Sequence, residues 1–162
     1  MPPRSPSDIE LDIAIAIATD AEREWAANLM ALSEPWRTLG RDRVACAEAL
    51  AAAPETELLI ARLGGAAVGF ALVRARGLAG SPYIASIAVA PDARGRRIGA
   101  RLVAHVERRY AAGARHLFLC VSSFNVNAQR FYRRLGFEQV GELPDFLIPN
   151  ASELILHKRL AP

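Results

Sequence analysis

Residues 87–102, IAVAPDARGRRIGARL, contain an apolar strand, a proline, a loop of arginine and glycine, and the start of a helix. Pro91 ends the strand because proline donates no hydrogen bond to a sheet. The first turn of the helix leaves backbone N–H groups without partners, and Arg94, Arg96 and Arg97 surround that turn. Free amides, the helix dipole and guanidinium groups all favour a pyrophosphate. The stretch therefore predicts a phosphorylated ligand against a strand end.

The rest of the chain predicts further strands and helices in the order β-α-α-β-β-β-α-β-α-β-β. Thr19 and Glu22 have the spacing of a capping box, so a helix is expected to begin there and to end near Pro35. Gly64 and Gly65 are typical of a hairpin turn. Two strand–helix–strand crossovers within an antiparallel plan predict a mixed α/β sheet with helices on both faces. The predicted strands are 10–18, 57–63, 66–76, 83–90, 116–121, 137–143 and 152–159, and the other helices are 41–53, 97–112 and 125–135.

Length and composition predict one domain. The chain has 162 residues, 52% of them hydrophobic, which is enough for a single core. We expect a loose tail at residues 1–7 and one domain at 8–162, with no membrane span and no signal peptide. Cys46 and Cys120 are far apart and show no metal spacing, so we expect reduced thiols, no metal and a cytoplasmic protein.

The charge of the chain disfavours a nucleic-acid-binding protein. The formal net charge is +3, from 20 basic and 17 acidic residues, and the excess is small and scattered. No stripe of alternating aromatic and basic residues is present to stack bases.

Two motifs together make the chain similar to a known family. The loop RGRRIG at residues 94–99 resembles the cofactor motif R/Q-x-x-G-x-G/A, and residues 125–137, NVNAQRFYRRLGF, resemble the segment N-x-x-A-x-x-x-Y-x-x-x-G-F. On these residues the chain resembles the GNAT superfamily of acyl-CoA-dependent N-acetyltransferases over nearly its whole length. The resemblance implies a mostly antiparallel sheet of about seven strands with a splay between strands 4 and 5. One position departs from the motif, because Arg97 stands where the family has its first glycine.

The resemblance implies a site for acetyl-CoA. The pyrophosphate is expected on the loop amides and the pantetheine arm along the strand that ends at Val89. The Val89 N–H is expected to stabilise the oxyanion, Asn125 to contact the arm, and Tyr132 to protonate the leaving thiolate. The implied cofactor-binding residues are Ile87, Ala88, Val89, Arg94, Gly95, Arg96, Arg97, Ile98, Gly99, Ala100, Asn125, Ala128 and Tyr132.

The same residues also have purely structural interpretations. Tyr132 could be a core aromatic residue that packs beside Phe131. Asn125 could be a plain helix N-cap. The arginines of the loop are typical of a solvated face after a turn. Cys120 lies in a predicted buried strand without an adjacent base, which disfavours covalent catalysis.

The general base is harder to assign from sequence. In some relatives that accept protein N-termini, a glutamate on the strand before the asparagine serves, but residues 119–122, LCVS, hold no acid. The candidates are Glu34 between the first two helices, Ser86 acting through a water, and Asp145. Glu34 and Trp36 are predicted to bind the amine, through charge and a cation–π contact, with Ser86 nearby. The alternative is a packed Trp36 and a solvated Glu34.

The sequence thus predicts an N-acetyltransferase that moves acetyl from acetyl-CoA to a primary amine by direct attack in a ternary complex. The acceptor is left open between a small metabolite, an antibiotic, a polyamine and a protein N-terminus. Residues 143–150 are apolar enough to cover the acceptor pocket or to form a partner surface such as that of a homodimer. The alternative function is a non-catalytic acyl-CoA-binding sensor or structural module.

Overall fold

The structure of the protein is a computed structural model that describes residues 12–161. The predicted order of elements is confirmed. The predicted tail at residues 1–7 and the first residues of strand 10–18 lie outside the described part of the chain. The strands are β1 (Ile13–Ile17), β2 (Thr56–Leu63), β3 (Ala66–Leu78), β4 (Ser81–Val89), β5 (His116–Ser122), β6 (Glu138–Leu143) and β7 (Glu153–Arg159). The helices are α1 (Asp20–Ala31), α2 (Arg43–Ala49), α3 (Ile98–Tyr110) and α4 (Val126–Arg134), and a 3-10 turn spans Pro91–Ala93.

Side-chain caps set the ends of the first two helices. The Thr19 hydroxyl accepts from the Glu22 N–H at 3.3 Å, and the Glu22 carboxylate accepts from the Thr19 N–H at 2.8 Å, which confirms the capping box. The second helix is shorter than the predicted 41–53. The Asp42 carboxylate accepts from the Ala45 N–H at 2.8 Å and fixes the start of α2, and Leu50 is its C-cap.

The strands form one seven-stranded sheet in the order β1-β2-β3-β4-β5-β7-β6. Every neighbouring pair is antiparallel except β4 and β5. Within residues 12–161, these two parallel strands pair only at Tyr83–Phe118 and Ile84–Leu119. A register shift between β3 and β4 leaves Ala85 as an extra residue just after that contact. The two strands diverge from there on, so the predicted splay is present.

The core lies on both faces of the sheet, as the sequence predicted. Helices α1 and α2 pack over one face, where Phe70 and Leu72 are fully buried. Helices α3 and α4 pack over the other face, where Val106 and Tyr132 meet Leu119. The helices leave the region above the splay open on both faces. Within the described residues, no helix has the length and apolar character needed to cross a membrane.

Candidate active site

A cleft of about 1710 Å³ opens where β4 and β5 diverge. We divide most of its lining into two parts. The loop side consists of the lining residues that fall within 87–100 and 124–135. The turn side consists of residues 32–39 between α1 and α2, Phe146 and Leu147 between β6 and β7, and the strand residues Tyr83, Ser86, Cys120, Ser122 and Glu153. The structure thus brings segments from across the whole chain to one opening.

Nearly all the site residues predicted from sequence line this cleft. The exceptions are Arg96, whose exposed side chain lies outside the lining, and Asp145. The predicted residues on the loop side are Ile87, Ala88, Val89, Arg94, Gly95, Arg97, Ile98, Gly99, Ala100, Asn125, Ala128 and Tyr132. Those on the turn side are Glu34, Trp36 and Ser86.

Two residues of the loop before α3 have a left-handed backbone conformation. Gly95 has φ +77°, and Arg97 has φ 59° and ψ 17°. Arg97 is the N-cap of α3, but its side chain makes no capping hydrogen bond, so the first amides of the helix face the cleft uncapped. A residue with a side chain costs about 1–2 kcal/mol in the left-handed conformation, which explains why glycine suits this position. Arg97 adopts this conformation despite that cost.

The end of β4 offers a free backbone edge to the cleft. The Ala90 N–H donates to the Val68 carbonyl at 2.8 Å, on the β3 side. Successive residues of a strand point their N–H groups to opposite edges, so the Val89 N–H points away from β3 and into the gap. Pairing with β5 has already ended at Ile84. The Arg94 side chain follows the same edge, since its Nε donates to the Val89 carbonyl at 3.3 Å.

Asn125 and Gly99 fix the position of α4 against the loop. The Asn125 side-chain oxygen accepts from the Ala128 N–H at 3.3 Å, so the N-cap interpretation is confirmed and the same side chain also lines the cleft. A Cβ placed on Gly99 would lie 3.1 Å from the Phe131 ring. The absence of a side chain at Gly99 therefore lets α4 approach the first turn of α3.

Tyr132 lies in the core and in the cleft lining at once. It is only 6% exposed and packs edge-on against Phe131 and Phe137, with ring centroids 5.1 and 5.8 Å away. Burial raises the pKa of Tyr132 well above its usual value of 10.0, so its hydroxyl is protonated at neutral pH. That hydroxyl makes no hydrogen bond to any residue of the described chain.

The turn side combines exposed and packed groups. Glu34 is exposed, and its carboxylate accepts from the Thr38 N–H at 3.3 Å. Trp36 is half-buried, with its ring 6.5 Å from that of Phe70. Ser86 is buried and pairs with Leu72, which places it on the face covered by α1 and α2. The structure therefore agrees with the structural alternative, a packed Trp36 and a solvated Glu34, and both residues line the cleft. Their binding of an amine stays a prediction.

Comparison with known protein families identifies the family of this chain. Residues 17–137 match the profile of the acetyltransferase (GNAT) family. The chain belongs to the acetyltransferase (GNAT) family. It is an N-acetyltransferase that uses acetyl-CoA as its acyl donor. Comparison with curated proteins gave no match.

Solved structures show the same fold. An aminoglycoside 6'-N-acetyltransferase complexed with coenzyme A is 19% identical, with a TM-score of 0.76 over 92% of this GNAT chain and 98% of that one. The ribosomal-protein-S18-alanine N-acetyltransferase from Escherichia coli is 18% identical, with a TM-score of 0.74 over 93% and 95%. Ard1 from Thermoplasma volcanium is 18% identical, with a TM-score of 0.76 over 93% and 99%.

The residues of this GNAT cleft fit acetyl-CoA. The open edge at Val89 provides a backbone donor for an extended amide-bearing arm. The uncapped start of α3 and the side chains of Arg94 and Arg97 favour a pyrophosphate. Arg96 lies outside the cleft lining, and the contacts of all these residues with acetyl-CoA stay predictions.

Four strand residues on the turn side of the GNAT cleft were not predicted from sequence. Tyr83, Cys120, Ser122 and Glu153 all line it, and Glu153 is a buried carboxylate that accepts a hydrogen bond from the Ser122 hydroxyl. The sequence signal that could have found Glu153 is an acidic residue at the start of an apolar strand. Asp145, one of the predicted candidates for the base, lies outside the lining, and its carboxylate accepts from the Asn150 N–H at 2.6 Å.

Cys120 is the thiol that lines this GNAT cleft. Burial raises its pKa above the usual value of 9.0, against a smaller opposing effect of its hydrogen bond with Tyr83. The thiol is therefore protonated at neutral pH and is a poor nucleophile. This agrees with the expectation that catalysis is not covalent.

Proposed function

We propose that the enzyme transfers acetyl from acetyl-CoA directly to a primary amine, with both substrates in the cleft at once. The observation that carries this proposal is the continuity of the cleft through the splay. The loop side presents free backbone donors on one face of the sheet, and the turn side forms a pocket on the other. Donor and acceptor entering from opposite faces would meet beside Val89.

Two residues of the loop side fit the chemistry of acyl transfer. The Val89 N–H is proposed to donate to the carbonyl oxygen as negative charge develops on it. The Tyr132 hydroxyl is proposed to give its proton to the thiolate when the C–S bond breaks. A raised pKa keeps this proton in place until a basic thiolate appears. Asn125 is proposed to orient the arm of the donor with the amide hydrogens that its capping bond leaves free.

The turn side is proposed to bind an amine with one positive charge and an apolar body. Glu34 and Glu153 are the carboxylates of the cleft lining, so the pocket has little charge to hold a polycation. Leu32, Phe146 and Leu147 line its mouth and are strongly exposed, Phe146 at 61%. Trp36 is proposed to pack against the acceptor, and Ser86 to contact it directly or through a water.

The test is release of CoA thiol from acetyl-CoA by the purified protein, read with a thiol reagent. The acceptors are phenethylamine, short peptides with apolar N-termini, amino acids, spermidine and an aminoglycoside. We expect release with phenethylamine or the peptides and little with the polycations. Release with the polycations alone would overturn the proposed acceptor class. Thermal stabilisation by acetyl-CoA without release from any acceptor would favour a non-catalytic acyl-CoA-binding module.

We also propose that the enzyme works in the cytoplasm. This is supported by its two free cysteines, Cys46 and Cys120, since free thiols are typical of reducing compartments. A homodimer stays a prediction from the apolar segment 143–150, whose Phe146 and Leu147 are exposed. Light scattering at micromolar concentration tests it.

A further inference from the structure

Glu153 is a buried carboxylate at the floor of the turn side. It stands at the first position of β7, directly opposite Ser122 of β5. Glu153 is only 8% exposed and Ser122 only 2%. The Ser122 hydroxyl donates to Oε1 of Glu153 and so holds the carboxylate in one orientation. The other carboxylate of the cleft lining, Glu34, is exposed to solvent and serves the turn in which it lies.

Glu153 also differs from the partly buried carboxylates Glu22 and Glu57 in having no cationic partner among the described residues. Glu22 pairs with Arg62 and Glu57 with Arg109, each through two hydrogen bonds. Among the ion pairs of residues 12–161, none includes Glu153. A buried carboxylate without a cation is unfavourable, and burial raises the pKa of Glu153 above its usual 4.5. The site is therefore suited to receive either a cation or a proton.

The groups around Glu153 do not supply that charge. Tyr83 on β4 and Cys120 on β5 lie close enough to sense its charge, and burial raises the pKa of both, so both are neutral at pH 7. The turn between α1 and α2 contributes Glu34 and Arg37 to the lining, and both side chains are exposed. The strongest attraction that Glu153 offers is therefore to a positive charge brought in by a ligand.

The location of Glu153 makes the acceptor amine the natural ligand. Ser122 and Cys120 alternate with Val121, which packs against the α3 and α4 face, so their side chains lie on the opposite face with that of Ser86. Glu153 shares that face because it pairs directly with Ser122. This is the face away from the uncapped start of α3, where the pyrophosphate is proposed to bind.

We infer that Glu153 binds the ammonium group of the acceptor and accepts a proton from it, and that Ser122 positions the carboxylate. The inference rests on the proposed function and adds the residue that prepares the amine for attack. An ammonium ion has no lone pair, so one proton must leave before the C–N bond can form.

Glu153 and Tyr132 together handle the protons of the reaction. Glu153 takes one proton from the ammonium ion, and the neutral amine uses its lone pair to form the C–N bond. The C–S bond then breaks, and the Tyr132 hydroxyl protonates the sulfur. The nitrogen of the product gives up its second proton to the Tyr132 oxygen, and Glu153 returns its own proton to water. The products are the N-acetyl amine, CoA thiol and one released proton.

The test uses Glu153→Gln, with phenethylamine as acceptor and acetyl-CoA as donor. We expect kcat/KM for the amine to fall about 100-fold at pH 7, the size typical of general-base catalysis. The deficit is expected to shrink as the pH rises towards the pKa of the amine, because neutral amine is then available in solution. Ser122→Ala is expected to cause a smaller loss, of roughly tenfold. Glu142→Gln, at an exposed site on β6, is the matched control and is expected to change nothing.

A second acceptor separates proton removal from structure. Trifluoroethylamine is largely neutral at pH 7, so it does not need a base, and the Gln variant is expected to use it nearly as well as the wild type. A deficit of the same size at every pH and with both amines would overturn the inference, as would full activity of the Gln variant with phenethylamine at pH 7. Thermal unfolding and acetyl-CoA binding of each variant show whether the protein has folded.

Failure of the proposed acyl transfer can be distinguished from failure of the role inferred for Glu153. If the wild type released no CoA with any amine, the proposed acyl transfer would fail. Calorimetric titration of phenethylamine into the CoA-saturated protein then still tests whether Glu153 binds the amine. We expect at least a tenfold weaker binding by Glu153→Gln than by the wild type, and equal binding, or none by the wild type, would overturn the inference.

Discussion

The loop side and the turn side of the cleft recognise their ligands by different means. The loop side presents backbone amides at the end of β4 and the start of α3, with arginines that are exposed to solvent. The turn side presents side chains, and its floor is formed by the buried Ser86, Ser122 and Glu153. A surface built from backbone tolerates changes of side chain, as Arg97 shows by adopting a conformation that favours glycine.

Specificity for the acceptor can reside on the turn side of the cleft. Backbone donors at a fixed turn suit a donor molecule that stays the same. Side chains contributed by separate strands can change one at a time, so they suit an acceptor that differs between enzymes of one fold. Substitutions on the loop side are therefore expected to act on acetyl-CoA, and substitutions on the turn side on the amine.

Tyr132 is the loop-side residue whose side chain is proposed to take part in the chemistry, so its loss is expected to have the largest effect among the loop-side substitutions. Tyr132→Phe keeps the ring packed against Phe131 and Phe137 and removes only the proton donor. We expect kcat to fall by more than about tenfold, with little change in the affinity for acetyl-CoA. Steady-state kinetics and calorimetry measure the two effects.

Tyr110→Phe is the control for this prediction. The Tyr110 hydroxyl lies outside the cleft and donates to Glu57 at 3.1 Å, so its loss is expected to leave kcat unchanged. Unchanged turnover in Tyr132→Phe would remove this tyrosine from the mechanism.

Gly99→Ala tests the packing that supports the loop side. The added Cβ would lie 3.1 Å from Phe131, so α4 or the ring must move. We expect KM for acetyl-CoA to rise several-fold and stability to fall by about 1 kcal/mol, with KM for the amine unchanged. Gly113→Ala has open space around its Cβ and is the matched control. A rise in KM for the amine alone would contradict the division of the cleft into two sides.

Arg97→Gly tests how far the loop side depends on backbone. Glycine removes the strain of φ 59° but adds entropy to the unfolded chain, so we expect a net gain in stability of about 0.5–1 kcal/mol. Affinity for acetyl-CoA is expected to fall less than about threefold because the amides remain. Arg96→Gly relieves no such strain and is expected to destabilise. Loss of binding in Arg97→Gly would show that the guanidinium, and not the amides, holds the phosphates.

The ion pair between Glu22 and Arg62 lies on neither side and serves as a reference for pure stability. Arg62, through hydrogen bonds at 2.6 Å, lowers the pKa of Glu22 from 4.5 to about 2. A lowered pKa stabilises the folded state above pH 4.5, and this contribution is lost as the pH falls towards 2. We expect Glu22→Gln to be less stable than the wild type by about 0.5 kcal/mol at pH 7, with the difference gone near pH 2.

Chemical denaturation at several pH values measures this effect. Glu48→Gln, at an exposed position on α2, is the control for loss of one negative charge. A changed KM for either substrate in Glu22→Gln would mean that the pair is coupled to the cleft.

The loop side could be predicted from sequence because its parts are contiguous. Residues 87–102 carry the strand, the turn and the helix start, and the asparagine and tyrosine of α4 lie seven positions apart in one helical motif. Local rules also located the capping box at Thr19. They overestimated α2 at both ends, because Asp42 caps its start and the helix already ends at the C-cap Leu50.

The turn side could be predicted only in part because its floor depends on strand pairing. Glu34, Trp36 and Ser86 were found because they lie in a turn or in a strand already assigned to the site. Glu153 follows Ser122 by 31 positions and meets it only through the register of β5 with β7. That register is set by the packing of the whole sheet, which no local pattern of residues reveals.

A crystal structure of the enzyme with CoA and phenethylamine is the decisive test of the two-sided cleft. We expect the pyrophosphate within hydrogen-bonding distance of the amides of residues 95–100, and the CoA sulfur between the Val89 N–H and the Tyr132 hydroxyl. We expect the ammonium on Glu153, across the splay. A CoA arm that runs outside the gap between β4 and β5, or an amine bound away from the turn side, would contradict this arrangement.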